Sequence, residues 1–408
     1  MKNKFAVCSL QFAVYSFSLI ANCLLPTISF SQQIEKTYYD KDNKIKKEIF
    51  HINIISEKKI KEGLYQIFYE NGKIWQEGNY KNNKLVGEWK TYFYNGQLKQ
   101  TVLYINGMRN GESKIYTDDG TIYQELFYKD DKLNGKIISY YADGKYMEIS
   151  EYKNDTLNGE SKGFNENGST FFKRIYVNGK RNGYCEEYYS SGLLSEQYTC
   201  VNDLFEGKFT AYYKDSINGK QKICNYLHGK LNGDFTGYYP NGSIMIKGTY
   251  SNDSLQGEYF HYFPSKIKNI EQGPLAEKGL YKNNKRVGSW TSFYPDGSAY
   301  SSGNYSNDAF DGAWKVYFKS GKPKQLGAYN NGVVDGDWKF YHENGNMYME
   351  GGYVAGKKEG SWKEYYEDGK LKAVYSCKNG ELNGKQTAYD NSGKIVEERV
   401  YENGSVKQ

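Results

Sequence analysis

The sequence predicts an all-β chain: an elongated, coiled antiparallel β-meander or solenoid of fourteen to fifteen 24-residue double-hairpin repeats. Three observations predict it. A glycine recurs at positions 63, 87, 111, 135, 159, 183, 207, 233, 257, 288, 312, 336, 360 and 384, and eleven of the thirteen intervals are 24 residues. With each glycine as position 0, position +5 is aromatic in all fourteen repeats, as at Phe293, Tyr317, Tyr341 and Tyr365. Pairs such as Asn71-Gly72 at +8/+9 and Asn106-Gly107 at +19/+20 tolerate positive φ at both central positions. Two-residue type I′ hairpin turns require that tolerance.

The elements follow in chain order. Residues 1–31 read as a secretory signal, with Lys2 and Lys4 as the basic start, an apolar run to Leu25, and Ser29-Phe30-Ser31 as the cleavage site. Residues 32–62 form a degenerate N-terminal repeat or cap, and residues 63–408 the array. A turn at +8/+9 pairs position n with 17 − n, and a turn at +19/+20 then pairs n with 39 − n. In that register +2, +4, +6, +11, +15, +17 and +22 share one face. It is the apolar one: Trp290, Trp314, Trp338 and Trp362 at +2, Ile74 and Ile244 at +11, Tyr at most +17 positions. Position +2 opposes +15, which is often Gly where +2 is a large ring: Trp290 with Gly303, Trp314 with Gly327, Trp338 with Gly351. Position +15 in turn opposes the next position 0, so each ring lies across two glycine backbones. The pairing drifts by two residues per repeat, which coils the sheet. Gln386 and Asp390 in apolar slots give the last repeat the look of a polar cap.

Composition narrows the function. Lys2 and Lys4 carry two of the six net positive charges, leaving +4 on the mature chain and no reason to expect nucleic acid. No stretch after the leader is apolar and long enough to span a bilayer as a helix. Phosphate-loop and dinucleotide glycine motifs do not occur. His51, His228, His261 and His342 are dispersed, so neither a metal nor another cofactor is expected. Cys185, Cys200, Cys224 and Cys377 occupy core-facing slots. Cys185 and Cys200 are diagonal neighbours, marginal for a disulfide. Carboxylates such as Glu88 and Asp337 at +1 alternate with Lys at +3, the pattern of a solvated strand face rather than a catalytic pair.

The segment Tyr80 to Phe93 (Tyr-Lys-Asn-Asn-Lys-Leu-Val-Gly-Glu-Trp-Lys-Thr-Tyr-Phe) resembles the MORN repeat, and its Asn-rich turn between Tyr and Gly resembles the bacterial variant. The resemblance implies a scaffold or interaction module, and for many bacterial members an antitoxin-like role.

Two features are candidate binding elements. The +5 aromatics Phe293, Tyr317, Tyr341 and Tyr365 lie on the face opposite the Trp stripe, either as cross-strand packing or as a platform for glycan or extended polypeptide. Insertions at Asp215–Asn218 and Pro264–Gly273, the latter with Pro264, Lys266 and Lys268, lengthen +8/+9 turns on one edge. The expected function is an exported non-enzymatic scaffold, periplasmic, outer-membrane associated or secreted. It would bind a protein or cell-envelope glycan through an extended β surface. The alternative is an immunity-like protein that neutralises a partner toxin.

Overall fold

The computed structural model describes residues 32–215, 219–267 and 271–407. The expected leader, part of the first insertion and Lys268 lie outside these residues. The described chain contains 35 strands and no helix, and its strand pairs are antiparallel. It divides into two compact units. In the first, Gln33–Tyr38, Lys46–Ile55, Lys58–Phe68, Ile74–Lys81 and Lys84–Tyr92 pair in sequence order. In the second, strands from Met108–Tyr116 to Ser405–Val406 pair with their neighbours along the chain. Among the described residues of this second unit no pairing joins its last strand back to its first.

The first half of the expected register holds. Gly288 faces Tyr305, Trp290 faces Gly303 and Ser292 faces Ser301. It then shifts by one, and Phe293 faces Ala299. The +8/+9 turn is the reason. In the Tyr69–Lys73 turn the Tyr69 N–H donates to Lys73 O, the Gly72 N–H donates to Tyr69 O, and Gly72 alone takes positive φ, at 82°. This is a three-residue loop closed by one left-handed glycine, not the type I′ turn expected. The extra residue, at +12, forms a bulge. Its consequence is a correction of face: +11 pairs with +5, not with the Trp stripe. Tyr238, Ile244 and Tyr262 accordingly form a buried cluster of their own with Leu275.

The second turn is type I′ as expected, with Asn283 and Asn284 at φ 53° and 65°. Beyond it Tyr305 faces Phe310, but Gly303 faces Trp314. Two residues are absorbed at position 0, where Gly312 has φ 77°. Position +15 therefore opposes the next +2, not the next position 0. The two-residue offset of each repeat is cancelled at this bulge, and equivalent residues stand in rows across the strands. Position-0 glycines such as Gly336 exist for their left-handed backbone, with open space where a Cβ would stand.

Candidate interaction surfaces

The Trp column has a structural role. Trp290, Tyr305, Trp314, Tyr329, Trp338, Tyr353 and Trp362 alternate along one face with ring centroids 5.1–6.3 Å apart, nearly all edge to face. Trp and the +17 Tyr thus share a side. Where the following repeat carries a Trp, the +15 glycine lies under it: Gly303 under Trp314, Gly327 under Trp338, Gly351 under Trp362. Trp290 and Trp338 donate Nε1–H to the carbonyls of Leu280 and Ala328, both at 3.2 Å. Trp362 is fully buried and its Nε1 has no acceptor. Arg286 and Lys358 cap the column, 4.7 Å and 4.1 Å from the Trp290 and Trp362 rings.

The +5 aromatics lie on the opposite face and are half-buried at Phe293, Tyr317, Tyr341 and Tyr365. Tyr365 donates to Glu350 Oε1 at 2.8 Å, as Tyr92 does to Glu77 at 2.6 Å. Burial, then that bond to a carboxylate, pushes Tyr365 up to about 12.

Position +6 carries a role the sequence reading missed. Its tyrosines donate to the +5 carbonyl of the next repeat: Tyr69 to Tyr92, Tyr141 to Phe164, Tyr239 to Tyr262, Tyr294 to Tyr317, at 2.7–3.0 Å. His342 takes the same place, with Nε2 3.2 Å from the Tyr365 carbonyl. Tyr39 makes the equivalent bond to Phe68 O at 2.8 Å. Asn at +8 adds a second link, as Asn344 Nδ2 donates to Glu367 O at 2.7 Å. In the last repeat Asp390 replaces the +6 tyrosine and accepts bonds from Ser392 and Lys394 of its own turn. The recurrence of aromatics at +6 is in the sequence. What they bond to depends on the neighbouring strand.

The bulge residue at +12 packs on the +6 ring of its own turn. Tyr300 lies 5.2 Å from Tyr294, Tyr348 lies 5.1 Å from His342, and Lys324 Nζ sits 5.7 Å over Phe318. Tyr300 and Tyr348 remain 44% and 41% exposed.

The second insertion forms a notch. Phe263, Pro264, Lys266, Ile267, Pro274 and Pro295 line a mainly apolar cavity of about 550 Å³, within the ~300–1,000 Å³ of small-ligand pockets. Ile267 stands 65% exposed at its rim. Pro264 and Lys266 are therefore brought together with Pro295 of the next repeat, apart from the +5 row. The four described cysteines are free and buried. Cys185, Cys200 and Cys224 share one core cluster with Tyr198 and Phe209, and burial pushes the Cys200 thiol up to about 11.

A family profile described as the MORN repeat variant matches residues 61–82, 85–106, 109–130, 133–154, 231–252, 310–331, 334–355, 358–379 and 382–407. The chain belongs to the MORN-repeat family. The MORN repeats opening at Gly159, Gly183, Gly207, Gly257 and Gly288 fall outside those windows yet keep the same first-hairpin pairing. No curated protein matches the chain. Among solved structures it is similar to a TcdB2–TccC3 crystal structure, at 11% identity over 90% of this chain and 20% of that one, with a TM-score of 0.17. It is also similar to TcdB2–TccC3 without its hypervariable C-terminal region, at 10% identity over 91% and 27%, with a TM-score of 0.14. A third is the Tc holotoxin pore of Photorhabdus luminescens, at 9% identity over 91% and 26%, with a TM-score of 0.15. The chain spans 20–27% of the length of these solved chains.

Proposed function

We propose that this MORN-repeat protein is an exported, non-enzymatic scaffold that binds a protein or glycan of the cell envelope through its β surface. The observation that carries the reading is the row alignment. Within a unit, ring columns and cross-repeat hydrogen bonds fix neighbouring hairpins to one another, so exposed side chains 24 residues apart hold their spacing without a ligand. A surface ordered in advance loses little conformational freedom on binding, which leaves more of the contact energy as affinity. The notch beside Pro264 adds a concave anchor point on the turn edge. Export rests on the leader expected over residues 1–31.

The test expresses the full chain in its native host with a photo-crosslinking residue at Ile267 or at Tyr348. The reading expects the protein in the envelope fraction and a reproducible adduct from at least one position. Protein confined to the cytosol, or no adduct from either position, overturns it.

A further inference from the structure

The +12 bulge residues of four successive repeats are Tyr300, Lys324, Tyr348 and Lys372, an alternation of ring and cation. Three features make them a row rather than four scattered surface residues. The register offset is cancelled between each of these repeats and the next, so the residues stack across the strands instead of stepping along them. Successive members are two strands apart, about 9.6 Å. The first three are held in place by contact with the +6 side chain behind them, Tyr294, Phe318 and His342. Lys372 sits 3.8 Å from Glu364 and Lys324 stays exposed.

A step of about 9.6 Å is close to one turn of a polyproline II helix, three residues at ~3.1 Å each, or ~9.3 Å. A peptide in that conformation presents the same face at every third residue. Exposed tyrosines are suited to pack on proline rings, and a lysine between them suits a carboxylate. The mismatch of about 0.3 Å per step accumulates to only about 1 Å over the four positions. We propose that this row is a docking rail for a proline-rich, acidic polyproline II segment of a partner protein. Prolines would pack against Tyr300 and Tyr348, and acidic side chains would pair with Lys324 and Lys372. The inference rests on the scaffold reading above and names the partner chemistry for one of its surfaces.

The test titrates the purified full chain with a fluorescent (Pro-Pro-Pro-Glu-Pro-Pro) repeat peptide long enough to cover four turns, in which every third residue alternates Pro and Glu. A (Gly-Ser-Gly-Glu-Gly-Ser) repeat of equal length and charge is the control. Saturable binding of the first and much weaker binding of the second is expected. Tyr300→Ser with Tyr348→Ser should weaken binding about tenfold or more, since aromatic side chains that a partner covers carry a large share of an interface's affinity. Lys324→Glu with Lys372→Glu should reverse the preference toward a (Pro-Pro-Pro-Lys-Pro-Pro) repeat peptide. Trp fluorescence and far-ultraviolet circular dichroism check that these surface variants stay folded. Equal binding of the two acidic peptides, no binding by the wild type, or unchanged affinity in the double variants overturns the rail. Binding of a β-linked polyuronate that depends on Tyr300 and Tyr348, with no peptide binding, also overturns it while leaving the scaffold reading standing. Cross-linking from Ile267, which lies outside the row, tests the scaffold reading independently of the rail.

Discussion

Gly327 and Gly336 lie nine residues apart and answer to different forces. Gly327 lies under Trp338, where an added Cβ would fall inside the ring. Gly336 has open space around it but φ at 73°. Alanine at either position is destabilising, by about 1–3 kcal/mol for overpacking at 327 and about 1–2 kcal/mol for backbone strain at 336. The two are separable. Gly336→Asn should recover part of the loss, because Asn tolerates the left-handed region, whereas Gly327→Asn should be worse than alanine. Urea denaturation of the four variants decides it; equal behaviour of the two Asn variants would contradict the assignment. The unpaired Nε1 of Trp362 gives a second prediction. Trp338→Phe loses a hydrogen bond to Ala328 O, while Trp362→Phe removes a buried donor that has no partner. Trp338→Phe should be the costlier change by about 1 kcal/mol in the same assay.

At the scale of the hairpin, the +6 hydroxyl joins neighbouring repeats through a single bond. Tyr294→Phe should lower stability by about 0.5–1.5 kcal/mol, the net worth of such a bond. His342→Tyr should raise it, by restoring at this repeat the hydroxyl that Tyr294 and Tyr366 supply at theirs. Thermal unfolding of both variants checks the pair, and a destabilised His342→Tyr would count against the staple. The hairpins also show where sequence arithmetic stops. The pairing of +2 with +15 and the common side of Trp and Tyr were legible, because alternation and turn spacing fix them. The bulges were not, and Asn71-Gly72 looks like a type I′ pair although only its glycine is left-handed. With one residue displaced there, Ile244 joins Tyr238 on the far face, and the exposed +12 row comes into being.

Over the whole molecule, the buried hydroxyls and thiols share one direction of titration. Burial is the largest cause for Cys200, held up to about 11, and for Tyr259 and Tyr365, held up to about 12. In the unfolded chain such groups release protons from about pH 9 to 10. Between there and about pH 12 the native state binds more protons than the unfolded one, so stability falls as pH rises and is fully present below that window. The urea midpoint at about pH 10.5 should lie clearly below that at about pH 8, and an unchanged midpoint would contradict it. Cys185, Cys200, Cys224 and Cys377 should resist a thiol reagent at pH 8 until denaturant is added, since buried thiols are inert. The sequence by itself determined the repeat, the strand content, the family and the ring-on-glycine pairing, because each is a matter of period and residue type. Only the tertiary structure decided which neighbour covers which glycine, what the +6 hydroxyls reach and which aromatics stay in solvent. Those depend on bulges, whose extra residues change the strand register without leaving a mark in the spacing of the repeat.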